Sequence, residues 1–172
     1  STATLAKAQA LLIRSINDQW GVFTRTRVKL LPHQLWVCRQ VTRNWPARWL
    51  VADDVGLGKT IEAGLILDPL LSSDRVKRVL VLTPARLAPQ WRDRMKTMFD
   101  IRLNLYSADL DRGKVSYWET ADKVVASFHT LRMDKARERL LMAEPWDLVL
   151  VDEAHHFQAV ERSATLTYNL LK

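Results

Sequence analysis

The run Asp53-Asp54-Val55-Gly56-Leu57-Gly58-Lys59-Thr60 has the residue types, in the right order, to hold a phosphate group. Gly56 and Gly58 let the backbone approach phosphate oxygens with no Cβ in the way. Their free N–H groups, with the positive end of a following helix, cradle an anion. Lys59 would reach the β- and γ-phosphates of a nucleotide, and the Thr60 hydroxyl would ligate Mg²⁺. The strict pattern has Gly at the position of Asp53, so the first letter fails. A Gly-Leu-Gly turn with an incidental Lys-Thr is the plain alternative. The context decides for the phosphate loop: a short apolar run, Trp49-Leu50-Val51-Ala52, precedes it, and an apolar helix, Ile61 to Leu70, follows.

Val149-Leu150-Val151-Asp152-Glu153-Ala154-His155 is the second chemical signal. A buried strand brings two carboxylates to its carboxyl end, where parallel sheets place their ligands. Asp152 would hold the Mg²⁺ shell, and Glu153 would orient and deprotonate an attacking water. Alone, such a pair reads better as a helix cap or N-terminal charge; the phosphate loop upstream makes the catalytic reading the stronger one. His155 and His156 lack a supporting ligand cluster, since Cys38, His33 and His129 are scattered. A polar link at His155 between the nucleotide and nucleic-acid sides outranks metal chelation.

These residues need a scaffold that aligns strand ends. Val79-Leu80-Val81-Leu82, Val124-Val125-Ala126 and Leu148-Val149-Leu150-Val151 are apolar on consecutive residues, as in strands covered on both faces. Helical patterns lie between them. Leu87, Trp91, Met95 and Met98 mark one helix face, and a charged helix spans Leu131 to Met142. Leu103 to Tyr106 reads as a short strand. Strand, crossover helix, strand predicts a three-layer α/β domain with a mostly parallel sheet. Upstream, Leu5, Ala8, Leu12, Ile13 and Ile16 predict an amphipathic helix, and Pro32 opens another through Trp36, Val37, Gln40 and Val41. Residues 1–45 are expected to be a helical extension packed on a core of residues 46–172.

Composition is that of a globular chain, 48% hydrophobic and 26% charged over 172 residues, which argues against disorder. The net charge of +7 favours a polyanionic partner such as nucleic acid, though a merely soluble basic surface explains charge alone equally well. No apolar run approaches the roughly 18 residues that span a bilayer. The lone cysteine, Cys38, excludes an intrachain disulfide and suits a reducing cytoplasm. Its neighbours Trp36 and Val37 suggest an inert, packed helix position.

Asp54 to Thr60 together with Asp152-Glu153-Ala154-His155 resembles motifs I and II of superfamily-two helicases, the latter in its DEAH-box form. Ala52-Asp53 ahead of the Gly-Leu-Gly-Lys-Thr, with Ile61-Glu62-Ala63-Gly64 behind it, resembles the Swi/Snf branch, in which the missing first Gly is normal. Asp54 departs mildly from that branch's usual Glu. Leu31-Pro32-His33-Gln34 and the second His, His156, are similar to RapA-type bacterial members. The resemblance spans about Leu30 to Phe157. It implies a RecA-like P-loop NTPase fold and ATP hydrolysis coupled to movement on double-stranded DNA. ATP and Mg²⁺ are the implied cofactors, with Asp54, Gly56, Gly58, Lys59 and Thr60 at the nucleotide and Gln34 on the adenine. By itself Gln34 reads as a plain surface amide. Leu82-Thr83-Pro84-Ala85-Arg86 resembles motif Ia, and Ala126-Ser127-Phe128-His129-Thr130 the family's next strand-end motif. Thr83, Arg86, Ser127 and Thr130 are thereby expected on the phosphate backbone, with helix capping by Thr83 or Thr130 an almost even alternative. Trp91 fits the family, but its helical spacing favours core packing.

The resemblance also implies a second RecA-like lobe that brings arginine fingers. Ser163-Ala164-Thr165 superficially fits motif III, yet sits in a helical pattern with no apolar strand ahead. The chain is therefore expected to be a first lobe ending before motif III and nearly inactive alone. A restriction or phage-defence motor subunit, and a nucleic-acid-binding module with a decayed ATP site, are the rival readings.

Overall fold

The computed structural model describes residues 32–43 and 59–154. The expected helix around Leu5 to Ile16, the strand at 49–52, residues 53–58 of the phosphate loop, His155 and the segment around Ser163 lie outside them. The chain forms two compact units, Ser1–Ser73 and Asp74–Lys172, each taken by itself below.

In the first unit, α1 (Pro32–Arg43) packs on α2 (Lys59–Ser72). Pro32 begins α1, where its missing N–H costs nothing. The buried face is Gln34, Leu35, Cys38, Val41 and Thr42, whereas Trp36 is 59% exposed. The helix expected from Pro32 is present, and Cys38 holds the packed position its neighbours suggested. α2 contains Pro69, which has no N–H to donate to the carbonyl four residues back, at Leu65. The Cys38 thiol supplies the missing donor, with Sγ 2.9 Å from the Leu65 carbonyl oxygen. Burial, then the charge of Asp68, pushes this thiol up to about 12. It stays protonated, a structural donor and not a nucleophile.

The second unit is built on a parallel four-stranded sheet, ordered β2-β3-β1-β4. The strands are β1 (Val79–Thr83), β2 (Asn104–Leu105), β3 (Lys123–Ser127) and β4 (Leu148–Val151). The parallel pairing meets the expectation from uninterrupted apolar runs. Between them lie α3 (Ala88–Phe99), α4 (Tyr117–Thr120), α5 (Phe128–Leu131) and α6 (Asp134–Met142). α4 had no periodic signal, being one turn long. The single helix expected over Leu131 to Met142 is broken, with Met133 extended at ψ 112°. Asp134 restarts it, an acid in a first turn that pairs with Arg137 at 2.6 Å. α3 buries Ala88, Trp91, Met95 and Phe99, so Phe99 takes the place expected of Met98.

Alternate side chains point to opposite faces of a strand. Leu80, Leu82, Val124 and Ala126 pack with Trp118, Ala136 and Leu140 on one face of the sheet. Thr83 follows Leu82 and so faces the other way.

The amino-terminal strand edge is fastened by Arg78 and Asp147. The Asp147 carboxylate accepts the backbone N–H groups of Lys77 and Arg78, both at 2.8 Å. Those bonds hold it below the usual carboxylate range. The Arg78 guanidinium lies 4.4 Å over the Trp146 ring and donates to the carbonyls of Glu144 and Trp118.

A second polar knot secures the long segment before α4. Asp111 is buried and accepts from Tyr106 Oη at 3.0 Å, from the Tyr117 N–H at 2.7 Å and from Arg139 at 2.7 Å. Arg139 also donates to the Gly113 carbonyl at 2.7 Å, and Tyr106 stacks on Trp118 with centroids 4.2 Å apart. Burial pushes the Asp111 carboxyl up, but the bonds from Tyr117, Arg139 and Tyr106 outweigh it and leave it below its ordinary value. A depressed folded-state value stabilises above the unfolded value of about 3.9 and is lost as pH falls through the folded one. Asp111→Asn is expected to cost about 3 kcal/mol at neutral pH, the low end for breaking a buried ion pair. In urea unfolding, the gap between wild type and variant should close as pH drops below that unfolded value; a gap independent of pH would refute the account.

Candidate functional site

Sheet register sets the geometry. Thr83 pairs with Ser127 across β1 and β3. Leu82 pairs with Val151 across β1 and β4, so the next rung sets Asp152 beside Thr83. Ser127, Thr83 and Asp152 therefore form one row along the carboxyl edge of three adjacent strands. At the usual strand spacing the row is roughly 10 Å long. It lies at the carboxyl ends of the strands, where open α/β sheets bind ligands.

The Asp152 N–H continues the ladder to the Leu82 carbonyl at 2.8 Å. Among the described residues its carboxylate is held through one oxygen. Oδ2 accepts the Trp91 indole N–H at 2.8 Å and the Thr83 hydroxyl at 3.4 Å. Glu153, next along, has φ 54°. This left-handed conformation is uncommon for a residue with a Cβ, costs on the order of 1 kcal/mol or more, and concentrates at functional sites. Here it turns the chain at the strand end.

Thr83 differs from expectation. It is fully buried and its hydroxyl serves Asp152, so it has no surface to offer a sugar-phosphate backbone. It does not cap α3 either, whose first-turn N–H groups receive no side-chain cap. In the neighbouring motif the cap is Ser127, which accepts the Thr130 N–H at 3.4 Å; Thr130 itself is buried. Arg86 is exposed just past β1, and Arg132 and Lys135 are exposed beyond β3. Paired strands thus carry basic side chains past the row.

In the first unit, Lys59 and Thr60 occupy the first turn of the 14-residue α2, where unpaired N–H groups and the helix dipole favour an anion. His33 Nε2 is 3.6 Å from the buried Glu62 carboxylate, which lays the start of α1 beside that same turn. Gln34 is 1% exposed and so is not the surface amide that its type suggested.

Trp91 is the residue that sequence reasoning undervalued. It is buried, as its spacing predicts, but it also holds the acidic motif. The signal was available: on the face Leu87, Trp91, Met95, Met98 it alone carries an N–H donor, and a buried indole N–H requires an acceptor.

Residues 35–172 match the SNF2-related domain. The chain belongs to that family. The solved structure of the Sulfolobus solfataricus SWI2/SNF2 ATPase core in complex with dsDNA is similar to it, with a TM-score of 0.64 at 18% identity over 84% of this chain. That likeness gives the SNF2-related chain the α/β, RecA-like fold expected of it. The chain spans 30% of the length of the Sulfolobus protein.

Proposed function

We propose that this chain is the ATP-binding lobe of a DNA-dependent ATPase that couples hydrolysis to movement along double-stranded DNA. The observation that carries the reading is the Asp152 carboxylate, held by two donors at the carboxyl edge of a parallel sheet, where a motor of this family needs its acidic motif. Lys59, Gly56 and Gly58 bind the phosphates, Asp54 belongs to the same nucleotide loop, and Gln34 contacts the adenine. The donor chemistry fits magnesium, since the Thr60 hydroxyl and the Asp152 carboxylate are hard oxygen ligands. When bound, magnesium neutralises charge on the β- and γ-phosphates. Glu153 orients the attacking water and takes its proton. Arg86, Ser127 and Thr130 serve the DNA side, the exposed Arg86 by direct phosphate contact and the capped α5 turn by shaping the strand end. His155 links the two sides. The complex of the Sulfolobus protein with dsDNA supports duplex as the track. The segment Pro32-His33-Gln34 and the paired His155 and His156 support a RapA-like bacterial branch.

The test is nucleotide binding and duplex-stimulated hydrolysis by the full-length protein. Lys59→Ala is expected to weaken nucleotide binding about 10- to 100-fold, the worth of hydrogen bonds to a charged group. Equal affinity in titration calorimetry would instead favour a DNA-binding module whose ATP site has decayed.

A further inference from the structure

Trp91 does more than its packing requires. The indole is 4% exposed, and a phenylalanine would bury a similar apolar surface. What the indole adds is one donor, spent on Asp152 Oδ2 at 2.8 Å. Thr83, fully buried, is aimed at the same oxygen. The terminal torsion of an aspartate is otherwise broad and roughly twofold. Two interior donors on one oxygen fix that torsion and commit Oδ2 to the protein.

We propose that Trp91 is a positioning residue for the magnesium-binding carboxylate, locking Asp152 so that Oδ1 is the oxygen reserved for the metal. The inference rests on the ATPase reading above and extends it to a residue of α3 that touches neither nucleotide nor metal. Donors behind a metal-ligating group orient it, and their loss typically weakens metal binding 10- to 100-fold. Trp91 would act on metal affinity and leave metal-free nucleotide binding alone, a separation that a packing role cannot produce.

The full-length protein decides it, as wild type, Trp91→Phe, Thr83→Val, Asp152→Asn and Trp91→Phe/Asp152→Asn. Binding of a fluorescent N-methylanthraniloyl-ADP is titrated in EDTA and across a magnesium series, with thermal unfolding in parallel. Trp91→Phe is expected to keep the affinity in EDTA and to raise the half-saturating magnesium on the order of tenfold. Thr83→Val should shift it in the same direction and by less, matching its longer contact. On the Asp152→Asn background, Trp91→Phe should add nothing, because its effect runs through that carboxylate. An unchanged magnesium requirement in Trp91→Phe overturns the proposal, as does equal weakening with and without magnesium. If Trp91→Phe does not fold, Thr83→Val decides alone by the same two criteria. A wild type that binds no nucleotide sinks the ATPase reading and this inference together; one that binds with a magnesium dependence indifferent to both substitutions sinks the inference only.

Discussion

Glu153→Gln in the full-length protein is expected to lower ATP turnover about 10²- to 10⁴-fold, the usual contribution of a positioned general base. The substitution keeps volume and length, so the turn at φ 54° is asked to hold a side chain of the same size. It removes the carboxylate proposed to accept the proton from water. Nucleotide binding should persist, since the proposed phosphate contacts come from the turn carrying Lys59 and Thr60 and not from Glu153. Single-turnover hydrolysis and equilibrium nucleotide binding separate these two effects. A Gln variant that hydrolyses as fast as wild type would remove Glu153 from the chemistry. One that loses nucleotide binding as well would make Glu153 a structural residue of the strand end.

The second large effect concerns the 172 residues taken alone. They are expected to hydrolyse ATP at least about 10³-fold more slowly than the full-length motor, with or without duplex. An arginine finger is worth 10³- to 10⁵-fold in rate, and the family resemblance assigns the fingers to a second lobe. A coupled ATPase assay on the isolated chain, with cooperative unfolding by circular dichroism as the folding control, checks it. Turnover at the full motor's rate by a folded, isolated chain would show that one lobe suffices.

The two expectations depend on different chemistry. In the proposed reading Glu153 would act on the water, and the arginine on charge at the transferred phosphoryl group. Loss of both should not be additive, because residues that act as one unit fail together.

Much of this protein was legible before folding was considered. Val79 to Leu82, Val124 to Ala126 and Leu148 to Val151 are apolar on every residue. Such runs suit strands of a parallel sheet, although β4 is half-buried along its length. The face of α3 was legible for a similar reason, since a period of 3.6 residues is a local property of the chain. Lys59-Thr60 at the start of a helix and Asp152-Glu153 after a strand were legible as positions, because the motifs they resemble carry fixed residue types at fixed offsets from an element's end.

What failed were inferences about which remote residues meet. Thr83 looked like a backbone contact or a helix cap. Its true partner, Asp152, is chosen by the register of β1 on β4, and a slip of one residue would turn it to the other face. Trp91 looked like core, and only the packing of α3 over that face gives its N–H a carboxylate. Cys38 could not be connected to Leu65 without knowing that α1 lies against the proline-broken turn of α2. The knot around Asp111 joins residues from Tyr106 to Arg139, and none of its members advertises the others. The sequence by itself determined the elements and the reactive groups, since periodicity and side-chain chemistry are written residue by residue. Tertiary structure alone decided the row Ser127, Thr83, Asp152 and the donor behind it, because register and packing are set by the sum of many distant contacts.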